Sequence, residues 1–99
     1  MRLIEKEMMA AIDGGRDWAK DNTAVLVTRW GYRRYGAGVY LHRNHIANVF
    51  CNMAGDVKVS PNVDTLRDYP TRTTMSRLRA LGVDVCTRKG VVHLNGNPI

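Results

Sequence analysis

Arg29, Arg33, Arg34 and Arg43 fall within fifteen residues of one another, and Trp30, Tyr32 and Tyr35 are interleaved with the first three. A guanidinium grips phosphate or carboxylate through a planar, two-pronged fork, and an aromatic ring offers a face on which an unpaired base can stack. A second set, Arg72 and Arg79, lies in the stretch PTRTTMSRLRALG, residues 70–82. If that stretch is a helix, its positive N-terminal end adds to the attraction for an anion. The chemistry on offer is binding: phosphates held along one edge by Arg29, Arg33, Arg34 and Arg43, and along another by Arg72 and Arg79. The same residues would dock an acidic patch on a protein, because carboxylate and phosphate attract guanidinium alike. A solvated, solubilising surface is the third reading of these charges.

Bond-making chemistry finds less support. A metal site would need His42, His45, Cys51 or Cys86 to converge, yet no Cys-x-x-Cys pair exists and the one His-x-x-His falls at an expected turn. The aspartates Asp13, Asp17, Asp21, Asp56, Asp64, Asp68 and Asp84 are scattered through loops and element ends, with no pairing beside a histidine. Spacing locates no base for Cys51 or Cys86 as a nucleophile. Gly36-Ala37-Gly38 lacks the third glycine and the following helix of a dinucleotide site. The expectation is a protein that is not an enzyme, with no catalytic residue, no metal and no cofactor.

Charge and length frame that reading. The chain has 99 residues and a net charge of +6, and residues 29–43 and 67–99 each carry an excess of four positive charges, while the remaining segments are slightly acidic. A chain of this size folds as one domain, residues 1–99, burying roughly 60 to 65% of the surface its unfolded form exposes. Arg2, Glu5, Lys6 and Glu7 interrupt any secretory apolar region, and two cysteines in strand-like runs fit a reduced compartment, so the expected location is cytoplasmic. The apolar runs fall far short of the roughly 20 residues a membrane span needs.

The elements that must position the arginines follow from periodicity. Ile4, Met8 and Ile12, with Leu3 and Ala11 beside them, recur on one face of a helix that Gly14-Gly15 ends. Thr23 to Thr28 is β-branched and apolar, as a buried strand is, and Gly31, Gly36 and Gly38 then mark a loop. Val39 to Arg43 and His45 to Met53 read as strands joined tightly at Arg43-Asn44. That turn would oppose His42 and His45 on a more exposed face with Tyr40, leaving Val39, Leu41, Ile46 and Phe50 on the core side. Val57 to Val59 is short and extended, Ser60-Pro61-Asn62 breaks it, and Val63 to Tyr69 reads as another strand that Pro70 stops.

In residues 70–82, Thr71 or Thr73 can cap the next helix by accepting a hydrogen bond from a free N–H group. At about 100° per residue, Met75, Leu78 and Leu81 share one arc with Thr74. Arg72, Ser76 and Arg79 cluster opposite, Arg77 lies at the border, and Gly82 closes the helix. Val83 to Thr87 and Val91 to Leu94 form a hairpin around Arg88-Lys89-Gly90, with a loose tail.

This order of elements resembles a group of small proteins encoded by tailed bacteriophages. The resemblance rests on the N-terminal amphipathic helix, Asn22-Thr23 opening a strand, the stretch VYLHRNHIA at Val39 to Ala47, and the aromatic-x-Thr-x-Thr-Thr-x-x-Arg-Leu-x-Ala-Leu pattern over Tyr69 to Leu81. It covers most of the chain in order. Such proteins more often have glycine where Arg43 stands and asparagine where Arg79 stands, so the extra basic character belongs to this member. The resemblance implies an early or accessory gene product working in the cytoplasm of a bacterial host, and it carries over no catalytic residue.

The chain is therefore expected to be a single α+β domain: one mainly antiparallel sheet, an N-terminal helix, and a short helix before a C-terminal hairpin. Its partner is DNA or RNA, bound through Arg29, Trp30, Tyr32, Arg33, Arg34, Tyr35, Arg43, Arg72 and Arg79. The alternative is an acidic host protein, which it inhibits or adapts; no membrane is involved, and a homodimer is compatible with either.

Overall fold

The apolar arc near the N-terminus forms helix α1 (Leu3–Asp13), whose Met8, Ala11 and Ile12 are buried. The computed structural model describes residues 2–31, 34–52, 54 and 56–99. Five strands follow as an antiparallel meander in which each pairs with its neighbour in sequence: β1 (Trp18–Lys20), β2 (Thr23–Gly31), β3 (Arg34–Leu41), β4 (Asn44–Cys51) and β5 (Val57–Pro61). Helices α2 (Val63–Asp68) and α3 (Arg72–Ala80) come next, and a second, three-stranded sheet of β6 (Val85–Arg88), β7 (Val91–Leu94) and β8 (Asn97–Pro98) ends the order. The fold is α+β as expected, with two sheets in place of one.

Strand alternation sends one set of side chains toward the helices. Val25 of β2, Ala37 and Val39 of β3 and Val49 of β4 join Met8 and Ile12 of α1, Leu66 of α2, Met75 and Leu78 of α3 and Val85 of β6 in one core cluster. The predicted arc of α3 is thus its buried face, with Leu81 just beyond it also buried. Thr71 is the cap: its Oγ1 accepts the Thr74 N–H at 3.1 Å. At the other end the Gly82 N–H reaches the Arg79 carbonyl and the Val83 N–H reaches the Leu78 carbonyl, at 2.9 and 3.0 Å, closing the helix as a Schellman motif does.

Several sequence expectations change. Val63 to Tyr69 is largely helix α2, not strand, because Asn62 Oδ1 accepts the Thr65 N–H at 3.2 Å and caps a turn that buries Leu66. The β3–β4 turn is His42-Arg43, one residue earlier than Arg43-Asn44, and both residues take left-handed φ values of 51° and 67°, as a type I′ hairpin requires. His42 therefore leaves the strand, and His45 faces Tyr40 instead. Between the Val39–Ala47 and Tyr40–His45 pairs, Ile46 is an extra residue. This bulge lets Ile46 and Ala47 both point inward and moves Phe50 from the core side to the outer face. Gly36 and Gly38 belong to β3 and not to a loop, and the tail is tied down as β8 by pairing with β7.

Candidate functional site

The helices cover one face of the five-stranded sheet. On the other face, Leu26, Thr28 and Trp30 of β2, Gly36, Gly38 and Tyr40 of β3, and Asn48 and Phe50 of β4 line an open groove of about 320 Å³. Its floor is set by the two glycines. A Cβ on Gly36 would stand 2.7 Å from Trp30 Cη2, and one on Gly38 would stand 2.9 Å from Tyr40 Cε1. Both distances are too short for real atoms, so each ring lies where a side chain would otherwise stand. Trp30 reaches Gly36 diagonally, since the direct cross-strand partners of Gly36 are Thr28 and Phe50.

Each ring has a neighbour that orients it. Trp30 meets Phe50 at 6.3 Å between centroids with the planes tilted by 54°. Tyr40 meets His45 at 5.2 Å with a tilt of 49°, both within the tilted geometries that aromatic quadrupoles favour. His45 is itself held at both nitrogens, Nε2 to Asn48 Oδ1 at 2.8 Å and Nδ1 to Asn62 Nδ2 at 3.1 Å. Because Asn62 Oδ1 is occupied in capping α2, its amide must donate to the ring, which assigns His45 the neutral tautomer with the proton on Nε2. Trp30 nevertheless remains 53% exposed and Phe50 41%. At the Trp30 end, Arg34 and Lys58 flank the rings together with Asp56. At the other end, Arg43 and His42 stand beside Tyr40 with Asp21.

The structure separates the residues that the sequence grouped together. Trp30 and Arg34 belong to the open face and its margin, and Arg43 marks the opposite end at the hairpin turn. Arg29 sits beside Trp30 in sequence but on the helix side, where its Nη2 donates to the Gly15 carbonyl at 2.6 Å and its guanidinium lies 5.5 Å from the Tyr35 ring centre. Tyr35 is equally committed to the fold: its hydroxyl donates to the last carbonyls of α1, Ile12 O at 2.7 Å and Asp13 O at 3.2 Å. The Cys51 side chain beside it, then burial, push that hydroxyl's pKa up to about 12. Arg72 and Arg79 are exposed on α3, in the helix layer, and Arg79 Nε donates to the Val85 carbonyl at 2.9 Å. Tyr32 and Arg33 lie outside the described residues.

Sequence reasoning missed the floor of the groove, Gly36 and Gly38, and its walls Leu26 and Phe50. The signal was present as Leu26, Thr28 and Trp30 at a period of two, once β2 is allowed to run on to Gly31. Among the described residues, no group of three His, Cys, Asp or Glu side chains converges in a way that could hold a metal ion, and no helix is long and apolar enough to cross a membrane. The groove offers ring faces, methyl groups, an amide and a hydroxyl, with Arg34, Lys58 and Asp56 at one end and Arg43 and Asp21 at the other. No curated protein and no solved structure matches the chain. The model of the Kyanoviridae Gp96 protein family matches residues 1–99, so the chain belongs to this family of phage proteins.

Proposed function

We propose that the protein is a phage accessory protein that binds nucleic acid in the host cytoplasm, and that the uncovered face of the five-stranded sheet is where it binds. The observation that carries this reading is the pair of rings laid over Gly36 and Gly38 and left open by the helix layer. Nucleic acid combines flat bases with a regular row of negative charges, and this face combines aromatic rings with Arg34 and Lys58 at one end and Arg43 at the other. The overall charge of +6 favours the same class of partner.

An acidic host protein is the second reading, favoured by exposed Leu26 at the groove and Val57 at its Trp30 end, which would add apolar contact area to a protein interface. Two measurements separate the readings. A salt titration of DNA and RNA binding should show affinity falling steeply with ionic strength. In a pulldown from bacterial lysate, a nucleic-acid binder loses its captured proteins on nuclease treatment. A partner that survives nuclease, together with no measurable nucleic-acid binding at low salt, would overturn the reading.

A further inference from the structure

We infer that the ligand of this face is a single strand, whose unpaired bases stack on Trp30 and Tyr40; this rests on the nucleic-acid reading and narrows it. Gly36 and Gly38, the residues beneath the two rings, are two positions apart on β3, which separates them by about 7 Å. That is roughly twice the 3.4 Å spacing of successive bases along a strand, so one strand can bring two nearby bases to the two rings. A duplex cannot, because its base faces are already covered by neighbouring bases and only edges and phosphates face outward. Between a duplex and a single strand, rings held in place by Phe50, by His45 and by a glycine floor can stack only on the strand with free base faces.

The cations fit the same path. Arg34 and Lys58 flank the Trp30 end and Arg43 flanks the Tyr40 end, so a backbone running along β3 would meet positive charge before and after the rings. Among the described residues the groove between them carries no carboxylate; Asp56 and Asp21 lie at its ends. Sheets that read single strands through aromatic residues commonly stack about two or three bases, and the number of rings here matches that footprint. DNA and RNA share this chemistry, and the probes distinguish them.

The test uses the full chain with labelled oligo(dT), oligo(U) and a DNA duplex of equal length, read by fluorescence anisotropy. At least one single strand should bind about tenfold or more tightly than the duplex. Trp30→Ala and Tyr40→Ala should each weaken single-strand binding by about 5- to 150-fold, the range for loss of one stacked base, and leave duplex binding unchanged. Gly36→Ala should also weaken it, because the new methyl group displaces the Trp30 ring without removing it. A thermal melt shows whether each variant is folded. Equal affinity for duplex and single strand, with Trp30→Ala silent, would overturn the single-strand inference and leave the broader nucleic-acid reading standing. No binding to any of the three probes at low salt would overturn both.

Discussion

Arg77 Nη1 donates to Glu5 Oε2 at 2.8 Å across 72 positions of sequence, and both side chains are almost wholly buried between α1 and α3. The pair is fully dressed. Ser76 Oγ donates to the same carboxylate oxygen, the Arg2 backbone N–H donates to Oε1, and Arg77 Nε donates to Thr23 Oγ1 at 3.1 Å. A buried ion pair replaced whole by apolar residues often costs little, whereas one stripped of a single partner leaves an uncompensated charge. Glu5→Ala or Arg77→Ala alone should therefore lower stability by about 3 to 5 kcal/mol, and the double replacement Glu5→Leu with Arg77→Met should recover most of that loss. Urea melts of the three variants check this, and additive losses would show that the two charges act separately.

The same carboxylate sets an acid limit. Burial pushes the Glu5 pKa up, but the hydrogen bonds from Ser76, Arg77 and the Arg2 backbone, with the charge of Arg77, outweigh it and hold the pKa below its ordinary value of 4.5. The folded state thus binds this proton less readily than the unfolded state. The stability involved is present above pH 4.5 and is lost as pH falls through the lowered value. Measured between neutral pH and the acid transition, Glu5→Gln should show a shallower decline than wild type, and parallel curves would contradict this account.

At the alkaline end Tyr35 takes over. Its hydroxyl is raised from 10 to about 12, so the folded state holds the proton more tightly, and the associated stability is intact below pH 10 and lost as pH rises toward 12. Absorbance titration of tyrosinate should show one group ionising late in wild type and missing in Tyr35→Phe. That variant also gives up the bond to Ile12 O, a loss of about 1 kcal/mol at neutral pH.

Arg43 holds a φ of 67° that a side chain adopts only at a cost. Arg43→Gly should relieve strain of about 1 to 2 kcal/mol against about 0.5 to 1 kcal/mol of added freedom in the unfolded chain, for a small net gain in melting temperature. Under the proposed function the same change should weaken nucleic-acid binding, since it removes the cation beside Tyr40. A variant more stable and equally tight-binding would argue that Arg43 has no part in binding.

Placement also divides the arginines into two groups. With the open face as the binding surface, Arg34→Ala combined with Lys58→Ala should flatten the dependence of log K on log salt by about 0.7 for each single-strand phosphate that is no longer neutralised. Arg72→Ala with Arg79→Ala, in the helix layer, should leave the slope unchanged. The reverse pattern would move the binding surface to α3.

Helix α3 was legible in the sequence because three signals agree on it: a capping threonine, a period near 3.6 and a closing glycine. Arg77 was not, because a helical wheel leaves it at the border and its partner stands at the other end of the chain. Val63 to Tyr69 misleads through its β-branched opening, which the side chain of Asn62 overrides by capping a helix. The outer face was hidden by a single inserted residue, Ile46, which reverses the phase of everything after it in β4. Asn95-Gly96, with left-handed φ values of 52° and 82°, is a strong hairpin signal and accounts for β8. Of the candidate site, Trp30, Arg34 and Arg43 were readable from type and spacing, but glycines that read as a loop concealed the sheet that carries them.

The edges of both sheets bear on solubility. A protein that keeps apolar rings uncovered is at risk of joining strand to strand with copies of itself, because every unpaired edge is a template for another chain. Here the edges are blunted. β1 has only three residues, with Lys20 bound to Glu7, while β5 carries Lys58 and terminates in Pro61. In the second sheet, β8 is two residues long and ends in Pro98, and the β6 carbonyl of Val85 is already taken by Arg79. Arg79, which the charge pattern alone assigned to ligand binding, thus also guards an edge: with that carbonyl taken, β6 offers a strand from another copy one acceptor fewer.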